Sequence, residues 1–439
     1  MHKTFKTSLL LGLLAVLCIC PRVFASGSGA YRLEVADAGV AGQGSAFVGE
    51  ANTPAAVYFN PAGLTQISGQ AISVGASLIQ PKVDYKSFSG DETQMRQGSF
   101  LIPSGYYVSD FGIKNMAFGV GAISSWGLTT YWNQDSFARY NATRSVLQNQ
   151  DYLLTTAYKL NDQWSLGLGL DVDSSSVDKQ KKILQANPGV DDANFRLKGS
   201  NTAAGFRLAG LFKVNDQHQF GLMYRSRIEH KYHGKVHLDN LNDADPTHPY
   251  QTIFGGSSYE TDVVSKSTLP DSVVLGYSFK PTSRWTLDAD LEWMNWSVVN
   301  EEELAYPGLV EIPSGPLAGM RGAVLNNGNP IARDWASVIS AAVGARYALT
   351  DSLRLRTGYF YHQSPVPGNT WEANLPDADS HGVTAGVGYD IRKDLTIDLA
   401  WSAMYYKTRE IDNAVASGTI SGTYRQWINL LYATLTYHF

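Results

Sequence analysis

The chain has 439 residues with 35 basic and 40 acidic side chains, a formal charge of -5. That balance lacks the basic footprint a nucleic-acid partner requires. Its two cysteines are Cys18 and Cys20, so everything after residue 20 is free of thiols, which excludes a disulfide scaffold and a cysteine-ligated metal.

Lys3 and Lys6 precede an apolar run from Ser8 to Cys20, and Val23-Phe24-Ala25 has the small-residue pattern of a cleavage site. The pattern predicts a secretory signal peptide over 1–25, because a run of about thirteen residues is short of the roughly twenty that span a bilayer. Beyond it no apolar stretch reaches eighteen residues, so a membrane role falls to strands. Next comes "NTPAAVYFNPAGLTQIS", residues 52–68. It is apolar enough to be buried, yet Pro54, Pro61 and the Asn-Pro-Ala-Gly run bar a regular strand or a long helix. Residues 26–68 are expected to form a small, partly helical hatch, with 69–439 as a second unit.

From about residue 70 the apolar pattern has period two, in segments of ten residues or more. Leu166, Leu168, Leu170 and Val172 share a face opposite Ser165, Gly167, Gly169, Asp171 and Asp173. Trp285, Leu287, Leu291 and Trp293 oppose Asp288, Asp290 and Glu292, and Leu395, Ile397, Leu399 and Trp401 oppose Thr396, Asp398 and Ser402. Soluble strands average five or six residues, whereas a tilted membrane strand needs about nine to eleven. Tight polar turns at 109–112, 161–163, 215–217, 281–283, 350–352 and 392–394 alternate with long connections near 83–98, 123–145, 174–199, 238–268, 298–335, 363–380 and 409–424. Six turns and seven loops join fourteen strands, the asymmetry of an outer-membrane barrel. Lipid offers backbone groups no hydrogen bonds, so such a sheet closes on itself. The expected fold is all-β: a fourteen-stranded antiparallel transmembrane β-barrel with the hatch inside its lumen. The terminal strand, Leu431 to Phe439, alternates again and ends on an aromatic, similar to the signal read by the outer-membrane barrel assembly machinery.

Catalytic constellations are absent: there is no G-x-S-x-G, P-loop or H-E-x-x-H, and no Ser-His pair placed for lipid hydrolysis. His230 faces away from His233 and His237 on a strand, so the three cannot share a metal. No cofactor or metal is expected. Arg207, Arg225, Arg227, Arg346, Arg354 and Arg356 fall on predicted polar, lumenal faces. Arg207, Arg225, Arg346 and Arg356 are candidates to receive a ligand's carboxylate, which a guanidinium binds bidentately.

Residues 36–64, "ADAGVAGQGSAFVGEANTPAAVYFNPAGL", together with "AFGVGAISSWGLTTYW" (117–132), "ARYNATRS" (138–145), "LPDSVVLGYSF" (269–279) and "LRTGYFYHQSPVP" (355–367), resemble the FadL-type transporters of long-chain fatty acids and other hydrophobic compounds in the Gram-negative outer membrane. The resemblance implies passive uptake of a hydrophobic ligand, most simply a long-chain fatty acid, with aromatic hydrocarbons by the same route as the alternative. It implies a hatch gate at Asn60, Pro61, Ala62 and Gly63, and a kink in the third strand at Ser124, Ser125 and Trp126 through which ligand leaves sideways into membrane lipid. It also implies a collecting groove on two outer loops, with Ile183, Leu184, Phe195 and Leu197 from one and Tyr250, Ile253 and Phe254 from the other. A lipid hydrolase and a surface adhesin are the rival classes.

Overall fold

The computed structural model describes residues 29–34, 37–96, 98–185, 189–415 and 418–439. The expected signal peptide and the first residues of the expected hatch unit lie outside the described residues. Fourteen antiparallel strands form the wall: β1 (Gln70–Lys86), β2 (Phe100–Ser109), β3 in two pieces (Met116–Ile123 and Gly127–Tyr131), β4 (Arg144–Lys159), β5 (Trp164–Ile183), β6 (Ala193–Lys213) and β7 in two pieces (His218–Arg225 and Ile228–Asp239). The rest are β8 in two pieces (Ser258–Leu269 and Ser272–Phe279), β9 (Trp285–Met294), β10 (Val338–Ala348), β11 (Leu353–His362), β12 (Ser380–Arg392), β13 (Leu395–Tyr406) and β14 (Gly422–His438). Each pairs with its sequence neighbours, and β14 closes onto β1 from Ala71↔His438 to Lys86↔Thr423. Closure leaves no sheet edge at either end of the chain.

The period-two pattern explains the two faces. Leu166, Leu168 and Leu170 of β5 and Leu208 of β6 point outward and stay about half exposed, as lipid-facing side chains do, while Asp171, Asp173 and Arg207 on the opposite face are fully buried inside. Trp164, Phe206, Trp285, Trp293, Tyr389 and Trp401 are exposed among the outward set. No helix among the described residues is long and apolar enough to cross a membrane.

Three of the expected loops are shorter than the sequence pattern implies: the second piece of β3 carries the wall on to Tyr131, so the connection expected at 123–145 shrinks to 132–143. β5 runs on to Ile183 and β6 begins at Ala193, so the connection expected at 174–199 shrinks to 184–192; β7 and β8 likewise extend to Asp239 and from Ser258. Past the lipid band the outward face turns polar (Ser174, Ser176, Asp178), erasing the oily-wet alternation while the ladder continues through every residue. Arg227 is a second correction: the chain steps at Ser226 between the pieces of β7, so Arg225 points inward and Arg227 outward, where it pairs with Asp271 at 3.1 Å.

Residues 29–34 and 37–68 lie in the lumen as a partly helical hatch with two short helices, α1 (Ala38–Gly42) and α2 (Ala56–Phe59), and a 3-10 turn, Pro61–Gln66. Asp37 caps α1 through Val40 N at 3.0 Å, and Asn60 caps the 3-10 turn through Ala62 N at 3.1 Å. Pro61 at the first helical position needs no N–H partner.

Candidate functional site

The hatch sits on bare wall backbone. Gly167, Gly221, Gly276, Gly344 and Gly358, on β5, β7, β8, β10 and β11, all face inward, and a methyl added to any of them would collide with hatch backbone: respectively Ala62, Val48, Gly49, Gln43 and Gly44. Only glycine permits so close an approach. Polar side chains fasten the same stretch: Thr384 donates to Gly42 O at 2.9 Å, Gln219 to Gly49 O at 2.8 Å, and Asp290 accepts from Phe47 N and Val48 N at 2.8 and 3.0 Å. Among the four residues singled out in the hatch, Asn60 is fully buried and its Nδ2 donates to Val48 O (2.8 Å) and to Gly210 O of β6 (3.3 Å). Pro61 and Ala62 rest on Gly167, and Gly63 packs against Ala51 so closely that it has no room for a side chain.

Ser124, Ser125 and Trp126 interrupt β3. Ile123 lies opposite Asp151 and Gly127 opposite Gln148, so three residues of β3 face two of β4, a bulge. On the other side β2 pairs with β3 only from Gly105 to Ser109, leaving Phe100–Ser104 and Gly127–Tyr131 without a ladder between them. Pro103 falls in that unladdered half, where a missing N–H is tolerated. The hatch's first residues stop the gap from inside: Leu33 N donates to Ser125 O (2.9 Å), Gly127 N donates to Tyr31 O (2.7 Å), and Leu33 packs beside Gly127. Arg96 N to Tyr131 O (2.9 Å) closes it on the outer side.

The outer half holds a cavity of about 520 Å³. Ile183, Leu184, Phe195, Leu197 and Tyr250 line it, whereas Ile253 and Phe254 lie behind, in the apolar cluster supporting it. Two parts of its wall escaped the sequence reading: Met320, Val324 and Leu325 of a short helix in the 295–337 connection, and a cluster of charge. Arg333 pairs with Glu302 at 2.6 Å and with Glu372, and Lys179 pairs with Glu302. Burial opposes ionisation of Glu302, but Lys179 and Arg333 prevail and hold its carboxyl down to about 2. Lys181 and Lys182 add further positive charge to the same wall, Lys181 lying 5.7 Å over the Phe195 ring. The sequence signal for these residues was the basic run "KQKK" at 179–182 inside an otherwise polar connection.

Beneath the charged cluster a second cavity of about 110 Å³ is bounded by Tyr31, Leu128, Val146, Leu147, Tyr232 and Leu375, next to the gap in β3. Tyr31, Trp126, Trp296 and Trp335 form an aromatic cage beside it, with ring centroids 5.2–5.8 Å apart. Directly below, Arg32, Glu34, Arg207, Arg225, Asp290, Glu292 and His362 surround a space of about 50 Å³, room for a few waters. The small central space is thus lined largely by charged side chains, whereas Leu128, Val146 and Leu147 border the cavity above it.

The four candidate arginines separate by position. Arg207 and Arg225 border the small central space, whereas Arg346 and Arg356 sit elsewhere on the lumenal wall, paired with Glu50 and Asp398. Arg207 and Arg225 are themselves committed to Asp171 and Asp151. The outer cavity is bordered by Arg333 and by none of these four. Among the described residues no group of histidines and carboxylates is arranged to hold a metal.

Comparison with known proteins matches residues 20–439 to the family described as outer membrane protein transport protein (OMPP1/FadL/TodX). A long-chain fatty acid transport protein of Escherichia coli O6:H1 is 26% identical over 397 residues, 83% of this chain and 84% of that one. Among solved structures, a Pseudomonas aeruginosa FadL homologue superposes with a TM-score of 0.78 at 19% identity, covering 93% of this chain and all of the other. The Ralstonia pickettii toluene transporter TbuX gives 0.67 at 17% identity, covering 92% and 98%. With a family match over nearly its whole length, and with the closed barrel and lumenal hatch just described, the chain belongs to the FadL/TodX family of outer-membrane transport proteins, which are transporters and not enzymes.

Proposed function

We propose that this protein passively imports long-chain fatty acids through an outer-loop cavity, a lumenal pocket and a lateral exit at the kink of β3. The observation that carries the reading is the pairing of an apolar cavity bearing cationic side chains with a break in wall pairing beside the pocket below it. In the outer cavity Leu197, Phe195, Tyr250 and Val324 offer a surface to an acyl chain, while Lys179, Lys181, Lys182 and Arg333 outnumber Glu302 and Glu372 and favour a carboxylate head. Inward passage leads to the cavity against Leu128, Val146 and Leu147, with Leu33 as the stopper between it and the bilayer. A dry sideways path suits such a ligand, since each methylene exposed to water costs about 0.8 kcal/mol. Residues 1–25 are the leader removed on export and 26–68 the hatch unit, with Asn60 to Gly63 setting its seat. Membrane lipid receives the ligand, and the terminal Phe439 strand serves the assembly machinery.

Uptake of labelled oleate by a deletion strain, with and without the gene restored, tests the proposal. Unchanged uptake of both oleate and toluene in the deletion strain would refute it. The aromatic cage of Tyr31, Trp126, Trp296 and Trp335 favours the second reading, an aromatic hydrocarbon carried by the same route; toluene uptake lost while oleate uptake persists selects it.

A further inference from the structure

The Tyr58 turn of the hatch and the kink of β3 both border the small central space, and they are joined by more than the backbone bonds at Tyr31 and Leu33. Between them runs an unbroken row of alternating charges. At the hatch end Arg207 Nη1 donates to Tyr58 O at 2.6 Å and to Val57 O at 3.4 Å, gripping the end of α2, and its guanidinium stacks 4.7 Å from the Tyr58 ring. Its Nε donates to Asp171 Oδ2 at 2.8 Å. Asp171 also pairs with Arg225 Nε at 3.5 Å. Arg225 Nη2 reaches Asp151 Oδ1 and Ser125 Oγ, both at 3.3 Å, and its guanidinium lies 5.3 Å from the Trp126 ring. Asp151 Oδ2 accepts the Ser125 backbone N–H at 3.1 Å and the Ser125 hydroxyl. Arg207, Asp171, Asp151 and Ser125 are between 0 and 1% exposed and Arg225 is 5% exposed, so the row is shielded from bulk solvent.

The bulge gives the far end its meaning. Three residues set against two leave a backbone N–H turned off the ladder, and buried N–H groups need a partner. Asp151, directly opposite Ile123, supplies it for Ser125. Its other oxygen is held by Arg225, and removing any member strands a buried charge.

We propose that Asp151 pins the bend in β3 and that Arg207, Asp171 and Arg225 relay the position of the Tyr58 turn to that pin, so that the hatch cannot shift without loosening the kink. The proposal rests on the lateral-exit reading for its physiological use but not for its test. These are positioning residues, since they act on ligand through the kink.

Ser124, 4% exposed in the kink, provides the readout. In Ser124→Cys, whose other cysteines lie at 18 and 20, a membrane-soluble maleimide should react slowly. Adding Arg207→Lys keeps the charge beside Asp171 but cannot grip both the carboxylate and the two hatch carbonyls, and should speed labelling about tenfold. Asp151→Asn should do the same, and the two together should do no more than either alone. Labelling in Arg207→Lys as slow as in the parent, or effects that multiply in the double variant, would overturn the relay. Heat-shifted gel mobility verifies folding; if the charge variants fail it, Ser125→Ala, which removes one hydroxyl, replaces them with an expected threefold rise, and no rise overturns the proposal. Oleate uptake is measured in the same strains. Labelling as expected with uptake unaltered supports the relay and removes the lateral route; unaltered labelling removes the relay alone.

Discussion

The seating of the hatch on wall glycines makes Gly167→Ala a demanding test. Its new methyl would lie 2.7 Å from Pro61 C and 2.9 Å from Pro61 Cβ and would collide with Ala62 N, where ordinary contact begins near 3.4 Å. Either β5 or the Asn60–Ala62 turn has to yield by several tenths of an ångström, against backbone on both sides. Overpacking of this kind costs about 1–3 kcal/mol, and about 2 kcal/mol shifts a seated-to-unseated equilibrium roughly thirtyfold. The control is Gly210→Ala on the adjacent strand, which faces outward and meets nothing within 4 Å. Ion conductance in planar bilayers reads the outcome: frequent open events in Gly167→Ala, wild-type quiet in Gly210→Ala. A folded Gly167→Ala barrel as quiet as wild type would refute the idea that glycine contact seats the hatch, as would a control that leaks equally.

Asn60→Ala removes two donor bonds to Val48 O and Gly210 O and the cap of the 3-10 turn, and should lower hatch stability by about 1–3 kcal/mol; normal oleate uptake in it and in Pro61→Ala would reduce this turn to packing. Lys181→Ala should raise half-saturation for oleate about tenfold, the worth of one charge-assisted hydrogen bond, and leave toluene uptake unchanged; equal effects on both would remove the head-group role. Glu302 has a lowered pKa in the folded protein, near 2 against an ordinary 4.5, so its stabilisation is present above about pH 4.5 and disappears as pH falls towards 2. Limited proteolysis of the 295–337 connection should show protection constant from pH 7 to 5 and declining below; loss already at pH 6 would contradict the assignment.

The barrel was legible because lipid imposes one rule on every strand. Leu166, Leu168 and Leu170 cannot be read as anything but an outward face once Asp171 and Asp173 take the other. That signal ends where lipid ends, which is why the strand extensions to Ile183 and from Ala193 read as loops. The parity reversal at Arg227 depends on one step at Ser226, invisible to a period-two pattern. The Asn60 turn stood out as a local irregularity and the 124–126 kink was placed by the family resemblance alone, whereas the partners of the arginines had no signal of either kind: Arg346 finds Glu50 across 296 positions, and Arg225 finds Asp151 across 74. Pairing between strands is set by barrel register, which one sequence does not display.

The unladdered stretch of β2 carries a cost of its own. A row of strand edge is a template on which any other extended chain can add itself, in this barrel or in a neighbour. Soluble proteins blunt such edges with proline and short length, and both devices are present: Pro103 sits within the exposed run, and the facing piece of β3 has five residues. Pro103→Val would restore a full set of donors to the edge, inviting β2 to zip onto β3 or capture a foreign strand. A doorway in a β-sheet has to be protected from becoming a seam.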